Sequence, residues 1–272
     1  MLLSNSDAQL PSRHGGVEPA GAGETASQLL PQSAGFAITS DSASVVCSPS
    51  RVASSYASNV SQLRNSEIFF SLQGETRRIG LPTVFIRLTG CPLRCTYCDT
   101  AYAFTGGQNM SVAEIIRQVG EHSPRYVTVT GGEPLAQKNC LLLLSALCDA
   151  GYEVSLETGG ALDIGAVDTR VMRVVDIKTP ASGEMDRNRW ENLPLLTRHD
   201  EIKFVICDEN DYRWAMQILR QHHLDEKCEV LFSAAHGTLN STRLAEWVLC
   251  DHLPVRMQVQ LHKILWDNEQ GR

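Results

Sequence analysis

The chain has 272 residues, 43% of them hydrophobic, which is enough to build a sizeable buried core in one large domain or two small ones. A formal net charge of -7 provides no general polyanion-binding surface and argues against nucleic acid as a partner. No apolar run approaches the length of a membrane span, so no membrane partner is expected. The nine cysteines are an odd number, scattered mostly through apolar contexts, a pattern that suits free thiols in a reducing cytoplasm better than a disulfide framework.

Residues 1–62 are rich in Ser, Ala and Gly and show neither a helical nor a strand period. They lack the basic segment and apolar core of a secretory signal, and Asp7, Glu18, Glu24 and Asp41 argue against a transit peptide. The expectation is a disordered extension over 1–62, which holds Cys47, followed by one domain over 63–272.

From Ser66 the pattern changes. Residues 67–72 have strand character, and Gln73-Gly74-Glu75 breaks it as a loop. Residues 84–88 (Val-Phe-Ile-Arg-Leu) read as the first buried strand, ending just before a cysteine-rich loop. Gly106-Gly107 marks a turn, and Ser111 with Glu114 forms a capping box for a helix carrying Val112, Ile115, Ile116 and Val119 on one face. Further strands are expected at 126–130, 153–157, 171–178, 201–206, 229–232 and 255–261, with helices at 141–148, 208–222 and 243–248. Alternating strands and helices imply βα units and a parallel sheet, either an open sheet or a partial barrel. In such α/β folds ligands gather at the C-terminal ends of the strands. The loops there carry the cysteines, Gly131-Gly132-Glu133-Pro134, Glu157-Thr158-Gly159-Gly160 and Asp176-Ile177-Lys178-Thr179-Pro180.

The segment 90–100, GCPLRCTYCDT, sets Cys91, Cys95 and Cys98 in a C-x3-C-x2-C array. Three thiolates at this spacing can hold a 4Fe-4S cluster that keeps one iron without a protein ligand. That iron can chelate S-adenosylmethionine and deliver the electron that releases a hydrogen-abstracting radical, chemistry supplied by the cofactors while the protein positions them. Tyr97 adds the aromatic residue of the radical-SAM signature. The competing reading is a structural zinc knot, which needs a fourth ligand; the nearest later Cys or His is His122, outside any paired ligand spacing.

The run Ser71-Leu72-Gln73-Gly74-Glu75, the stretch from Thr83 to Thr100, and Thr130 to Pro134 together resemble the 7-carboxy-7-deazaguanine synthases, radical-SAM enzymes of queuosine and 7-deazapurine biosynthesis. The similarity runs over about residues 66–268 and ends in Gln258-Val259-Gln260-Leu261-His262-Lys263-Ile264-Leu265-Trp266. The resemblance implies a modified, incomplete (β/α) barrel in a homodimer. It also implies a carbon–nitrogen lyase that converts 6-carboxy-5,6,7,8-tetrahydropterin to 7-carboxy-7-deazaguanine with loss of ammonia. The cofactors would be the 4Fe-4S cluster, S-adenosylmethionine and Mg2+, with an electron donor such as flavodoxin. Carried over by position, Leu72, Gln73, Gly74, Arg87 and Thr130 would hold substrate. Gly132 with Asp176, Ile177 and Lys178 would lie against S-adenosylmethionine, beside Tyr97, and Glu157 would either bind its ribose or solvate the strand edge. Thr100 would offer its hydroxyl to Mg2+, ahead of the harder donor Asp99. His262 and Lys263 are expected to support the last strand, and Cys140, Cys148, Cys207, Cys228 and Cys250 to be core thiols. An alternative within the superfamily is an activating enzyme that installs a glycyl radical on a partner protein, which would need neither SLQGE nor Arg87.

Overall fold

Strand β1 (Gln62–Leu72) and strand β2 (Pro82–Leu88) form an antiparallel pair, with Glu67 opposite Arg87 and Phe69 opposite Phe85. In the computed structural model, which describes residues 61–267 and 269–272, this pair opens a nine-stranded sheet. The expected extension over 1–62 lies outside the described residues except for Ser61 and Gln62, and Gln62 is already the first residue of β1.

The remaining strands are β3 (Gln108–Ser111), β4 (Tyr126–Gly131), β5 (Glu153–Thr158), β6 (Met172–Asp176), β7 (Glu201–Ile206), β8 (Glu229–Ala234) and β9 (Arg256–Gln258). The sheet order is β3-β1-β2-β4-β5-β6-β7-β8-β9, and every neighbouring pair from β2 to β9 is parallel. The order is linear, so the barrel stays incomplete, as expected.

Helices α1 (Val112–Glu121), α2 (Cys140–Asp149), α3 (Glu209–His222), α4 (Leu224–Lys227) and α5 (Ser241–Cys250) connect the strands, and α6 (Leu261–Trp266) follows β9. Their apolar positions and one face of the sheet form the core. On α1 the four expected residues, Val112, Ile115, Ile116 and Val119, are all fully buried. Each contributes about 1.5–3 kcal/mol of hydrophobic stabilisation. Only half of the expected capping box forms: Ser111 Oγ accepts from Glu114 N at 3.1 Å, while the Glu114 carboxylate turns outward to Arg117 and Gln118. Helix α3 starts one residue after its cap Asp208, and adds the buried Tyr212 to Ala215, Ile218 and Leu219 on the core face.

The strands alternate strictly. Val84, Ile86, Leu88, Val127, Val129, Val154, Leu156, Ile202, Phe204 and Ile206 belong to the core under the helices. Phe85, Arg87, Thr130, Glu157, Val174, Asp176, Lys203 and Val205 face the other way, onto a cavity. The loop after β1 folds across this open side and reaches the far edge of the sheet. Thr76 N donates to Gln258 Oε1 at 2.9 Å, and Leu261 N donates to Gly74 O at 2.9 Å.

That second bond explains the difference at the C-terminal end. The expected strand over 255–261 stops at Gln258, because Gly74 takes the Leu261 N–H and the Gln260 carbonyl starts a helical turn with Lys263. Cys140 and Cys228 are buried in the core as expected, and Cys148 and Cys207 are half-buried, but Cys250 is exposed. On α5 the buried positions are Leu244 and Val248, and residue 250 falls off that face. Among the described residues no helix is long and apolar enough to cross a membrane.

Candidate active site

The cavity has a volume of about 580 Å³ and is lined by residues at the C-terminal ends of the parallel strands, by residues 73–75 and by the first turn of helix α6. At one end are Cys91, Cys95 and Cys98, all free thiols and all half-buried. Their loop is shaped by short-range bonds: Leu93 N donates to Cys91 Sγ at 3.4 Å and Cys98 N to Cys95 O at 3.1 Å. Burial pushes the Cys91 and Cys95 thiols up. Their thiolate forms therefore need a local positive charge, which bound iron supplies. Among the described residues no three His, Cys, Asp or Glu side chains converge closely enough to hold a single metal ion. A cubane cluster is gripped at separate corners, so its thiolates stand farther apart than ligands closing on one ion. Three free thiols lining one cavity match the donor set of a cluster that keeps one iron without a protein ligand.

Beside the cysteines, glycines leave bare backbone. Gly131 has φ +145°, and a Cβ there would meet Leu88 O at 2.1 Å; a Cβ on Gly132 would meet Gly90 O at 2.3 Å and Cys91 Cβ at 2.8 Å. The end of β4 is therefore pressed directly against the cysteine loop, and only glycine permits it. Glu133, fully buried, ties this corner to β5 by accepting from Thr158 Oγ1 at 2.9 Å and Gly159 N at 2.7 Å.

Two polar atoms at this end, Tyr97 Oη and Asp176 Oδ1, are buried without a hydrogen-bond partner. The other Asp176 oxygen accepts from Lys178 Nζ at 2.9 Å, and the Lys178 ammonium lies 5.8 Å from the centre of the Tyr97 ring. Asn188 brackets the Lys178 backbone through its N–H and carbonyl, each at 2.8 Å. A ligand with several hydroxyl and amine groups, such as S-adenosylmethionine, would satisfy the two orphaned atoms. Ile177 does not line the cavity; its side chain is buried in the core and its N–H donates to Lys203 O at 2.9 Å.

Arg87 also lines the cavity, on β2 shortly before the cysteine loop. Glu67, its cross-strand partner, accepts from Arg87 Nε at 2.6 Å and from Tyr102 Oη at 2.8 Å. The guanidinium carbon lies 5.6 Å from the Phe69 ring centre and 5.9 Å from that of Tyr102. Among the described residues no protein group bonds its two terminal nitrogens. One edge of the fork is thus held, and the other is presented to the cavity. Phe69 and Phe85 stack at 5.0 Å and form a flat apolar wall next to it.

Glu157 lies among the residues expected to hold substrate. Its carboxylate accepts from Thr130 Oγ1 at 3.0 Å and from Gln73 Nε2 at 3.3 Å. Burial pushes its pKa up, against the pull of Lys203, Thr130 and Arg87. Leu72 and Gly74 also line this end, and a Cβ on Gly74 would meet His262 Nδ1 at 2.0 Å. His262 and Lys263, expected at a strand end, instead form the first turn of α6 and close the cavity mouth. Burial pushes the His262 pKa down.

Thr100 lines the cavity next to the cysteines, its hydroxyl 3.9 Å from Cys98 Sγ. Asp99 faces Lys263 at 3.5 Å. The protein alone offers one neutral oxygen at Thr100, so Mg2+ there would need substrate and water oxygens to complete an octahedral shell. Residues not singled out from the sequence include Glu67, Tyr102 and Lys203. The signal for Glu67 and Lys203 was present in the strand alternation, which puts Glu67, Arg87, Thr130, Glu157 and Lys203 on the face away from the core; Tyr102 lies in the helical turn Ala101–Phe104, off any strand, and carried no such signal.

Comparisons with known proteins agree with this geometry. The model of the radical SAM superfamily matches residues 85–228. The 7-carboxy-7-deazaguanine synthase of Chlorobaculum tepidum is 46% identical over 208 residues, covering 75% of this chain and 94% of that protein. The synthase of the same name from Koribacter versatilis is 44% identical over 219 residues, covering 75% and 97%. The crystal structure of QueE from Escherichia coli superposes with a TM-score of 0.62 at 23% identity, over 74% of this chain and 95% of that one, a likeness of fold. Three cysteines and an oriented guanidinium line one cavity, in a chain this similar to those proteins over nearly their whole length, and that places it: the chain belongs to the 7-carboxy-7-deazaguanine synthase family of radical SAM enzymes.

Proposed function

We propose that this chain converts 6-carboxy-5,6,7,8-tetrahydropterin to 7-carboxy-7-deazaguanine with release of ammonia, in the biosynthesis of queuosine and related 7-deazapurines. The observation that carries this reading is the single cavity holding both ends of the chemistry, the three cysteines and Arg87 with its flat aromatic wall. When bound, the 4Fe-4S cluster and S-adenosylmethionine supply a hydrogen-abstracting radical.

The chain's own residues bind, orient and shield. Cys91, Cys95 and Cys98 hold the cluster. Gly132 lines the cofactor cleft together with Asp176 and Tyr97, whose Oδ1 and Oη await hydrogen-bond partners. Lys178 holds the other Asp176 oxygen and keeps that carboxylate fixed. The free edge of Arg87 takes the substrate carboxylate, with a geometry suited to two parallel N–H···O bonds. Phe69 and Phe85 cover one face of the bicyclic ring. Glu157, with Gln73 and Thr130, accepts from the N–H groups at the guanidine-like edge of the pterin, and the Leu72-Gln73-Gly74 backbone closes that side. Thr100 supplies one oxygen to Mg2+, whose remaining ligands are substrate and water. Residues 73–75 and helix α6 exclude water from the reacting centre.

As a radical SAM enzyme the chain needs an electron donor; a flavodoxin-type donor, a homodimer and a cytoplasmic location form the finer part of the proposal and rest on the family resemblance. The testing experiment is an anaerobic incubation of the reconstituted chain with S-adenosylmethionine, Mg2+, a chemical reductant and the carboxytetrahydropterin, with no protein partner added. The expected result is the deazaguanine product by mass spectrometry together with ammonia. S-adenosylmethionine cleavage that proceeds only with a polypeptide partner would assign the chain to the glycyl-radical activases instead.

A further inference from the structure

Lys203 is a half-buried lysine on the cavity face of β7, its side chain 15% exposed, and the assignments above give it no role. Three carboxylates from three different elements surround it. Glu75, on the loop that crosses the open side, accepts from Lys203 Nζ at 2.8 Å. Asp176, its register partner on β6, lies with Oδ2 at 3.9 Å. Glu157 on β5 is the third; it lines the same cavity beyond ion-pair distance, and the ammonium pulls its pKa down against burial. The other charged groups facing this cluster are Lys178 against Asp176, Arg87 against Glu157 and His262 against Glu75.

The connections run in two directions. Through Asp176, Lys203 reaches Lys178 and the cofactor end. Through Glu75 it holds the loop that also carries Gln73, the donor to Glu157, and Glu75 is anchored on its other oxygen by Gln260 Nε2 at 2.8 Å, next to helix α6. An isolated buried carboxylate is costly, and three around one cavity would repel each other and protonate without a cation among them. An ordinary structural ion pair would join two groups; this one lies where the cofactor and substrate halves of the cavity meet.

We propose that Lys203 is a positioning residue for the reaction, holding the Glu75, Asp176 and Glu157 side chains in place so that the two halves of the cavity are aligned; this rests on the functional reading above. The ion stays charged in spite of burial because the three carboxylates outweigh desolvation, which raises the Lys203 pKa. Burial alone would raise the Glu75 pKa, but Lys203 and Gln260 pull it down to about 2. A depressed carboxyl stabilises the fold above its ordinary value and loses that contribution as pH falls toward the depressed one. In the wild type this loss begins only below 4.5, so stability is insensitive to Glu75 near neutral pH.

With Lys203 replaced by Met, burial becomes the dominant influence on Glu75 and Glu157, and both pKa values rise. The variant is then destabilised at neutral pH and regains stability as pH falls and the carboxyls protonate, the opposite trend to the wild type.

The experiment compares wild type, Lys203→Met, Lys203→Arg and the pair Lys203→Met with Glu75→Gln, all as full chains with reconstituted cluster. Two profiles are read, kcat/KM for the pterin against pH and the thermal midpoint from about pH 8 to about pH 6, the range where a raised carboxyl titrates. In Lys203→Met, kcat/KM falls by on the order of a hundredfold, the scale of breaking a buried ion pair. Its acid limb moves toward neutral pH, and its thermal midpoint rises on acidification. Lys203→Arg keeps the wild-type acid limb because the charge remains. The double variant folds more stably than Lys203→Met because neither partner is left as an unpaired ion. Acid limb and thermal profile in Lys203→Met that track the wild type overturn the proposal. If Lys203→Met does not fold, the double variant decides through the same two profiles, since Glu157 still lacks its cation there. Wild type that does not turn over the pterin overturns the functional reading, and the thermal profile alone then decides the role of Lys203.

Discussion

Replacing Arg87 by lysine probes the substrate end of the cavity through geometry while keeping the charge. In the wild type Glu67 holds the Nε edge at 2.6 Å, and the side chain is only 14% exposed between Phe69 and Tyr102. The opposite edge is left to grip a carboxylate with two parallel bonds. A lysine ammonium is a compact point charge. It can stay with Glu67 or turn to the ligand, and in either case at least one charge-assisted bond to the substrate is lost. A hydrogen bond to a charged group contributes about 1.5–3 kcal/mol. That corresponds to roughly a ten- to hundredfold weaker affinity. The assay is calorimetric titration of the carboxytetrahydropterin into cluster-loaded protein under anaerobic conditions, with iron content measured alongside. Glu67→Gln provides the companion case. The amide oxygen can still accept from Arg87 Nε and Tyr102 Oη, so affinity should drop only by about threefold, the scale of a weakened charge-assisted bond. Arg87→Lys binding within twofold of wild type would refute the fork argument and return Arg87 to a structural ion pair with Glu67.

Three further outcomes follow from the same geometry. Cys95→Ala should abolish S-adenosylmethionine cleavage, whereas Cys250→Ala, at an exposed position, should leave both cleavage and thermal midpoint unchanged, as read by chromatography and calorimetry. Thr100→Ala should reduce the Mg2+ stimulation of turnover while iron content and uncoupled cleavage persist, and Thr100→Ser should retain it; equal stimulation in wild type and Thr100→Ala would shift the metal to Asp99. Gly132→Ala puts a Cβ 2.3 Å from Gly90 O, so it should separate β4 from the cysteine loop, lower the iron retained after reconstitution and destabilise the fold by about 1–3 kcal/mol, checked by iron assay and thermal unfolding.

Much of this architecture is written in short-range patterns. The apolar period of α1 and the β-branched run of β2 specify helix and strand locally, and the cysteine loop is a contiguous motif, so each could be read from neighbouring residues. The harder features depend on contacts between distant segments. Helix α6 exists where a strand pattern continues because Gly74, far away in sequence, captures the Leu261 N–H. The short strand β3 has a polar sequence and pairs through its backbone with β1, which no side-chain periodicity announces. Among the residues that the family resemblance suggests for substrate, Gln73, Arg87 and Thr130 all line the cavity. Glu157 was legible as a strand-end carboxylate, but its neighbours Gln73 and Thr130 become visible only once β1, β4 and β5 are packed. Lys203 shows the same limit. Its place in an alternating strand marks it as facing away from the core, yet the three carboxylates around it come from three separate elements.

The central claim is that one cavity binds cofactor beside the cysteines and substrate between Arg87 and Glu157. The most direct measurement is difference electron density from an anaerobic co-crystal of the cluster-loaded chain with S-adenosylmethionine, Mg2+ and the pterin. The account predicts the pterin carboxylate on the free edge of Arg87, the opposite ring edge at Glu157 and Gln73, and the S-adenosylmethionine between the pterin and Cys91, Cys95 and Cys98. Pterin density outside this cavity, or a carboxylate turned away from Arg87 toward the cysteine end, would contradict it.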